Sequence, residues 1–391
     1  MINLYQPLIS LQKGHWFKLI CGASLEYLPA VRTLALAYAL AGADCIDVAA
    51  DPGVIRTARS ALTMAKSLAS AHGRGLNFRS PWLMVSLNDG EDPHFRKAQL
   101  QPGDCSVNCP QPCVAICPAQ AITFNRVGDG FSGVIDQLCY GCGRCLPVCP
   151  IQQISTRSYR STPDILGSLI ETREVDALEI HTQIGRVAEF QKLWQAVAPY
   201  VRQLKVLSVS CPDGEGLLDY LWSLYEIVSP LPCPLIWQTD GRPMSGDIGD
   251  GTTRSTLKLG QKVLSAGLPG YVQLAGGTNR RTVPKLQAMG LLNPSGDQHL
   301  SSNWLTHKIY VSGVAYGSFA RTLLWPVLHQ LDQADPENPS YHLEKNPRLL
   351  AQAVALARSL VDQLKAPSIQ HSRFDTSRQP ASLSSGQTNI T

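Results

Sequence analysis

Residues 28–49 read LPAVRTLALAYALAGADCIDVA. Leu28–Leu40 spaces its apolar residues as one helical face does, and Cys45–Ala49 follows as a short β-branched strand. A helix leading straight into an apolar strand is the unit of an alternating α/β chain. The same alternation extends outward in both directions. Strands are predicted over Phe17–Cys21, Trp82–Leu87, Ala177–His181, Val206–Ser210, Leu235–Gln238, Tyr271–Leu274 and Lys308–Val311. Helices are predicted over Val54–Leu68, Pro163–Thr172, Val187–Val201, Gly216–Val228, Thr256–Ala266 and Val283–Met289. Strands alternating with helices in this number predict a TIM-like (β/α)8 barrel. A doubly wound open sheet is the other arrangement this order permits, because strand order is not written in a single sequence.

The chain has 391 residues, of which 44% are hydrophobic, enough for a substantial core. Charged residues are 16%, against a usual level of about 25%. The net charge of +4, without a dense Lys/Arg run, argues against nucleic-acid binding. The longest apolar stretch, residues 33–43, is too short to span a bilayer. No charged region leads into an apolar one at the N-terminus, so a cytoplasmic protein with reduced thiols is expected. Residues 366–391, rich in Ser, Gln, Thr and Arg, read as a disordered tail.

Eight of the twelve cysteines fall into two runs, each ending in Cys-Pro. Cys139, Cys142, Cys145 and Cys149 read C-x2-C-x2-C-x3-C-P, the bacterial-type spacing for an iron–sulfur cluster. The fourth cysteine of such a run commonly serves the other of two clusters. That rule assigns Cys139, Cys142, Cys145 and Cys117 to one cluster, and Cys105, Cys109, Cys113 and Cys149 to the second. An internal repeat agrees: CPAQAI at 117–122 and CPIQQI at 149–154 share the frame CPxQxI. The first run has one extra residue in each of its first two gaps. Its cluster is therefore open to being a 4Fe–4S, a 3Fe–4S, or a labile centre suited to sensing. Structural zinc, which favours two separated cysteine pairs, and disulfides fit this spacing poorly.

The cysteine segment, 101–156, is expected as a ferredoxin-like module inserted after the third strand. Residues 1–100 and 157–365 then form the barrel. Loops after barrel strands open onto the C-terminal face, where barrel active sites lie. At that mouth Gly276, Gly277, Gly313, Gly317 and Ser318 resemble the phosphate loops of flavin- and sugar-phosphate-binding barrels, with Ser318 capping a helix over 319–329. FMN or another phosphate-bearing ligand is the corresponding cofactor. Tight strand-to-helix turns explain the same glycines without a ligand. Asn88 with Asp89, His181 with Thr182, and Gln238 with Asp240 also end strands on this face, and no acid is paired with His181. The Gly/Asp-rich stretch Thr239–Thr253 reads as a lid. No lysine ends a strand where flavin barrels present one. Cys21, Cys45, Cys211 and Cys233 read as buried small hydrophobes.

KLICGASLE at 18–26, the paired cysteine runs, TDGRPMSGDIGDGTT at 239–253 and AGGTN at 275–279 occur together. In this combination the chain resembles the cyanobacterial light-dependent period family over nearly its full length. The resemblance implies an iron–sulfur protein that passes light and redox state to the circadian clock. It implies one 4Fe–4S and one 3Fe–4S cluster, with the eight cysteines above as ligands, and supplies no catalytic residue. The partners expected are clock or clock-input proteins, with an electron carrier or a quinone as redox partner. Two functions follow: a redox sensor, or an FMN-dependent iron–sulfur oxidoreductase. The lack of an acid–base set counts against the second.

Overall fold

The computed structural model describes residues 6–71, 78–105, 108–158, 166–242, 252–293, 309–334 and 342–365. Twelve strands follow in chain order. They are β1 (Trp16–Gly22), β2 (Cys45–Ala49), β3 (Trp82–Asn88), β4 (Arg96–Gln99), β5 (Ile122–Thr123) and β6 (Gly133–Val134), then β7 (Ser155–Ser158), β8 (Ala177–His181), β9 (Val206–Pro212), β10 (Leu235–Asp240), β11 (Tyr271–Ala275) and β12 (Gly313–Tyr316). All but β4–β7 pair in parallel and close into a barrel, in the order β1-β12-β11-β10-β9-β8-β3-β2. The closed ring excludes the open sheet.

The helices are α1 (Pro7–Lys13), α2 (Leu28–Ala41), α3 (Pro52–Leu68), α4 (Pro112–Ile116), α5 (Cys145–Val148) and α6 (Leu166–Glu171), then α7 (Val187–Val197), α8 (Leu217–Val228), α9 (Thr253–Ser265), α10 (Thr282–Ala288), α11 (Ser318–Ala334) and α12 (Pro347–Lys365). Outward strand residues such as Phe17, Leu19 and Ile46 join the buried helix faces in one continuous core. Inside the ring, Trp16, Cys45, Met84, Ala177, Val206, Ile236 and Tyr271 form an apolar floor that Leu11 of α1 plugs. Lys365, the last residue of α12, reaches Asp44 Oδ2 and Ser10 Oγ at 2.6 Å each below this floor.

The eighth strand lies elsewhere than predicted. Lys308 falls outside the described residues, and Gly313–Tyr316 forms the strand instead. Gly313 packs so closely on β1 that a Cβ there would stand 2.4 Å from the Trp16 carbonyl oxygen. The strand thus needs a glycine where β-propensity argues against one.

The cysteine segment leaves from β3 and returns to β8, on the C-terminal face. Antiparallel pairing of β4 with β7 closes its base, so the excursion spans at least 96–158. A second antiparallel pair, β5 with β6, lies within it.

Candidate functional site

The CPxQxI repeat is a repeated cradle. Each run makes a short helix, α4 or α5, and the two helices pack together. Gln120 and Gln152 both take left-handed backbone, with φ of 48° and 54°. The turn so made lets Ala121 N donate to Cys117 Sγ at 3.2 Å, and Gln153 N to Cys149 Sγ at 3.3 Å. From the barrel side, Ala98 N of β4 donates to Cys139 Sγ at 3.3 Å.

The runs cross. A cavity of about 410 Å3 is lined by Cys117 of the first run and by Cys139, Cys142 and Cys145 of the second. Burial pushes the Cys145 thiol up to about 12, and Cys142, Cys139 and Cys117 push it the same way. Cys117 is raised by burial and by Cys142 and Cys139. Cys113, raised first by burial, feels Cys149 and Cys109 instead. Cys105 follows the Pro102–Asp104 turn and is half-buried. Burial makes Cys117, Cys139 and Cys145 resist ionisation alone, whereas bound iron deprotonates a coordinating thiol. Convergent sulfurs with N–H donors behind them suit an iron–sulfur cluster.

Beside this cavity the barrel mouth opens, about 800 Å3 counted out to solvent. Gly276, Gly277, Gly317 and Ser318 line it, as do His94, His181, Asp240 and Arg321. Gly313 does not, since it begins β12 at the opposite end of the barrel. Ser318 opens α11, and its hydroxyl accepts from Arg321 Nη2 at 3.1 Å. Arg321 Nη1 donates to the Ile20 and Cys21 carbonyls at the end of β1, at 3.0 Å each. The Gly276 and Gly277 carbonyls accept from Thr256 and Thr252. Asn88 is used locally, donating to the Gly90 carbonyl at 2.7 Å. Most of the lid stretch, residues 243–251, lies outside the described residues.

Tyr140 lines both the cysteine cavity and the mouth. Its neighbour in sequence, Cys139, supplies one of the convergent sulfurs. The Arg321 guanidinium covers the Tyr140 ring, 4.2 Å from its centroid.

Sequence reasoning missed a polar layer inside the barrel. Strand side chains alternate, and Lys18, Asp47, Ser86, Glu179, Ser208, Gln238 and Gln273 are buried polar residues on strands of the barrel. Lys18 Nζ bonds Glu179, Asp47 Oδ2 at 3.2 Å and Gln238 Oε1 at 3.0 Å. Burial alone would lower the Lys18 pKa, but Asp47 and Glu179 raise it. Glu179 is held low against its burial by Lys18 and by a hydrogen bond with His181. Burial raises Asp47 despite Lys18. Lys18 and Glu179 each favour the other's charged form. The signal was a polar residue inside each apolar barrel strand except β12.

The fold pairs His181 with an acid that the sequence spacing does not name. His181 Nε2 stands 3.0 Å from Glu179 Oε1. His94, in the Pro93–Phe95 turn after β3, lies between Asp92 Oδ1 at 2.7 Å and Asp240 Oδ2 at 3.2 Å. Burial works against the His94 proton, yet Asp92 and Asp240 push its pKa up to about 9. These contacts join loops distant in sequence, which no local pattern reveals.

Among the described residues no helix is long and apolar enough to cross a membrane. Two solved structures are faintly similar. An N-acetylneuraminate lyase from Fusobacterium nucleatum has a TM-score of 0.31 at 10% identity, covering 88% of this chain and 79% of that one. A tryptophan synthase from M. tuberculosis has a TM-score of 0.31 at 12% identity, covering 91% and 98%. The barrel assignment rests on the strand pairing above, not on these.

Sequence relatives are far nearer. Residues 105–160 match the LdpA Fe–S cluster-binding domain, and residues 169–363 match the light dependent period A C-terminal domain. The chain is 46% identical over 359 residues to "Light dependent period A" of Synechococcus elongatus, covering 92% of this chain and 94% of the relative. The chain belongs to the light dependent period A family and carries its iron–sulfur cluster-binding domain.

Proposed function

We propose that the protein is an iron–sulfur redox sensor that conveys light-driven electron flow to the circadian clock. The name of its Synechococcus relative supports the link to light-dependent period control. The observation that carries the sensing reading is Tyr140, one side chain shared by the cysteine cavity and the barrel mouth. Cys117, Cys139, Cys142 and Cys145 hold a 4Fe–4S cluster. Cys105, Cys109, Cys113 and Cys149 hold a second, 4Fe–4S or 3Fe–4S, in the wider and more labile run. When bound, the clusters supply one-electron chemistry at potentials set by ligation, hydrogen bonding and exposure. The amides of Ala98, Ala121 and Gln153 donate to ligand sulfurs. Tyr140 walls that cavity from the mouth. Arg321 ties the ring to the end of β1 and to Ser318 at the start of α11. A charge change beside Tyr140 thus acts on α11, the element through which we place a switch. A clock or clock-input protein reads it, and an electron carrier or quinone sets it, in the cytoplasm.

A second reading, an FMN-dependent oxidoreductase, is favoured by the Gly276, Gly277, Gly317 and Ser318 turns that line the mouth. The buried carboxylates of Asp47, Asp92, Glu179 and Asp240 disfavour a phosphate deep in that mouth. Only its rim, at Arg321 and Ser318, suits one.

Anaerobic purification with absorbance, iron, sulfide and released-flavin analysis separates the two. Clusters without flavin, and a clock-protein interaction that changes with applied potential, support the sensor. Stoichiometric flavin reduced together with the clusters supports the enzyme. Cysteine-bound zinc with no sulfide overturns both.

A further inference from the structure

Asp92, His94 and His181 meet at the mouth from two elements. Asp92 begins the turn that leaves β3, and His181 ends β8. One ligand atom from each lies within 4.8 Å of the other two. Asp92 Oδ1 stands 2.7 Å from His94 Nδ1 and 3.9 Å from His181 Nδ1. The ring centroids are 4.9 Å apart, so both rings turn Nδ1 toward one carboxylate oxygen.

The opposite ring nitrogens are already held. His94 Nε2 meets Asp240 Oδ2 at 3.2 Å, and His181 Nε2 meets Glu179 Oε1 at 3.0 Å. Ligation displaces the proton that His94 Nδ1 shares with Asp92, while each Nε2–H stays on its carboxylate. Metal-binding histidines are characteristically braced in this way.

Charge points in the same direction. Asp47, Asp92, Glu179 and Asp240 are each at most 5% exposed, and Lys18 is the permanent cation bonded to two of them. One permanent cation does not balance four carboxylates, so the rest of the charge falls to the proton on His94 or to a metal ion that replaces it. Asp240, which lines the mouth, also keeps its Oδ1 without a hydrogen-bond partner among the described residues.

We infer that Asp92, His94 and His181 bind a divalent first-row transition-metal ion through the Asp92 carboxylate and the two Nδ1 atoms. Glu179 and Asp240 brace the rings from behind, and the remaining coordination positions face the mouth cavity. Imidazole donors select zinc or iron(II) over magnesium or calcium, which prefer all-oxygen sites. The site is chemically distinct from the cysteines and stands whether or not the sensor reading does.

The test uses the anaerobic full chain with its clusters intact. It is equilibrated with zinc(II), desalted, and analysed for zinc, iron, sulfide and zinc-edge X-ray absorption. One retained zinc per chain is expected, with a nitrogen/oxygen shell near about 2.0–2.1 Å and unchanged iron and sulfide. His94→Ala and His181→Ala abolish retention, and Asp240→Asn weakens affinity by about 10–100-fold. Asp92→Asn, which keeps the turn's hydrogen bond to His94 N, loses zinc as well and serves if a histidine variant fails to fold. No zinc retained by the wild type, a sulfur shell near about 2.3 Å, or full retention by these variants overturns the inference.

Discussion

Arg321 lies over the ring of Tyr140, 4.2 Å from its centroid, with Cys139 one residue away in sequence. This pair is where the inserted module and the barrel share a side chain. A guanidinium beside an anionic thiolate cluster favours the reduced form. Arg321→Gln is expected to lower the midpoint potential of the cluster on Cys117, Cys139, Cys142 and Cys145, on the order of tens of millivolts. The second cluster should move little. Redox titration followed by electron paramagnetic resonance reads both, and an unmoved first cluster would remove Arg321 from the account.

Lys18 is buried among carboxylates. Lys18→Met leaves Glu179 and Asp47 without their cation and should destabilise the fold by about 3–5 kcal/mol. Lys18→Met combined with Glu179→Gln should cost less than the single change, because the stranded charge is gone. Denaturant unfolding of the anaerobic protein compares them. Additive losses would show that Lys18 and Glu179 are not a pair.

His15 gives a pH dependence. Its Nδ1 is buried with no hydrogen-bond partner among the described residues. Burial, then the charges of Lys365 and Lys13, lower its pKa from 6.5 to about 4. The unfolded chain therefore binds this proton more readily than the folded one between those values. The stability this group contributes is whole above pH 6.5 and falls as pH drops toward about 4. His15→Gln should flatten that part of the profile, measured as the difference from wild type. An unchanged slope would mean that His15 stays protonated in the fold.

Gly313 shows where sequence reading failed and why. KIYV at 308–311 has the better strand composition, but packing against Trp16 makes GVAY the strand. Gly313→Ala pushes a methyl into the β1 backbone and should cost about 1–3 kcal/mol, read as a lowered unfolding midpoint. The other barrel strands were legible because each is a short apolar run bounded by turn residues. The cysteine spacing was legible because cluster ligation fixes local gaps. Glu179 was passed over inside an apolar strand, and its contacts with Lys18 and His181 depend on ring closure. The Asp92–His94–Asp240 contact joins the loop after β3 to the end of β10, so only the folded chain displays it.

The crossed ligand set is the central claim, and Cys117 tests it most directly. Cys117 belongs to the first run in sequence and to the second run's cavity in space. Cys117→Ala and Cys142→Ala should abolish the same cluster signal in electron paramagnetic resonance of the anaerobic protein, and Cys109→Ala the other. If Cys117→Ala instead removes the signal lost in Cys109→Ala and spares the one lost in Cys142→Ala, each run holds its own cluster and the crossed account is wrong.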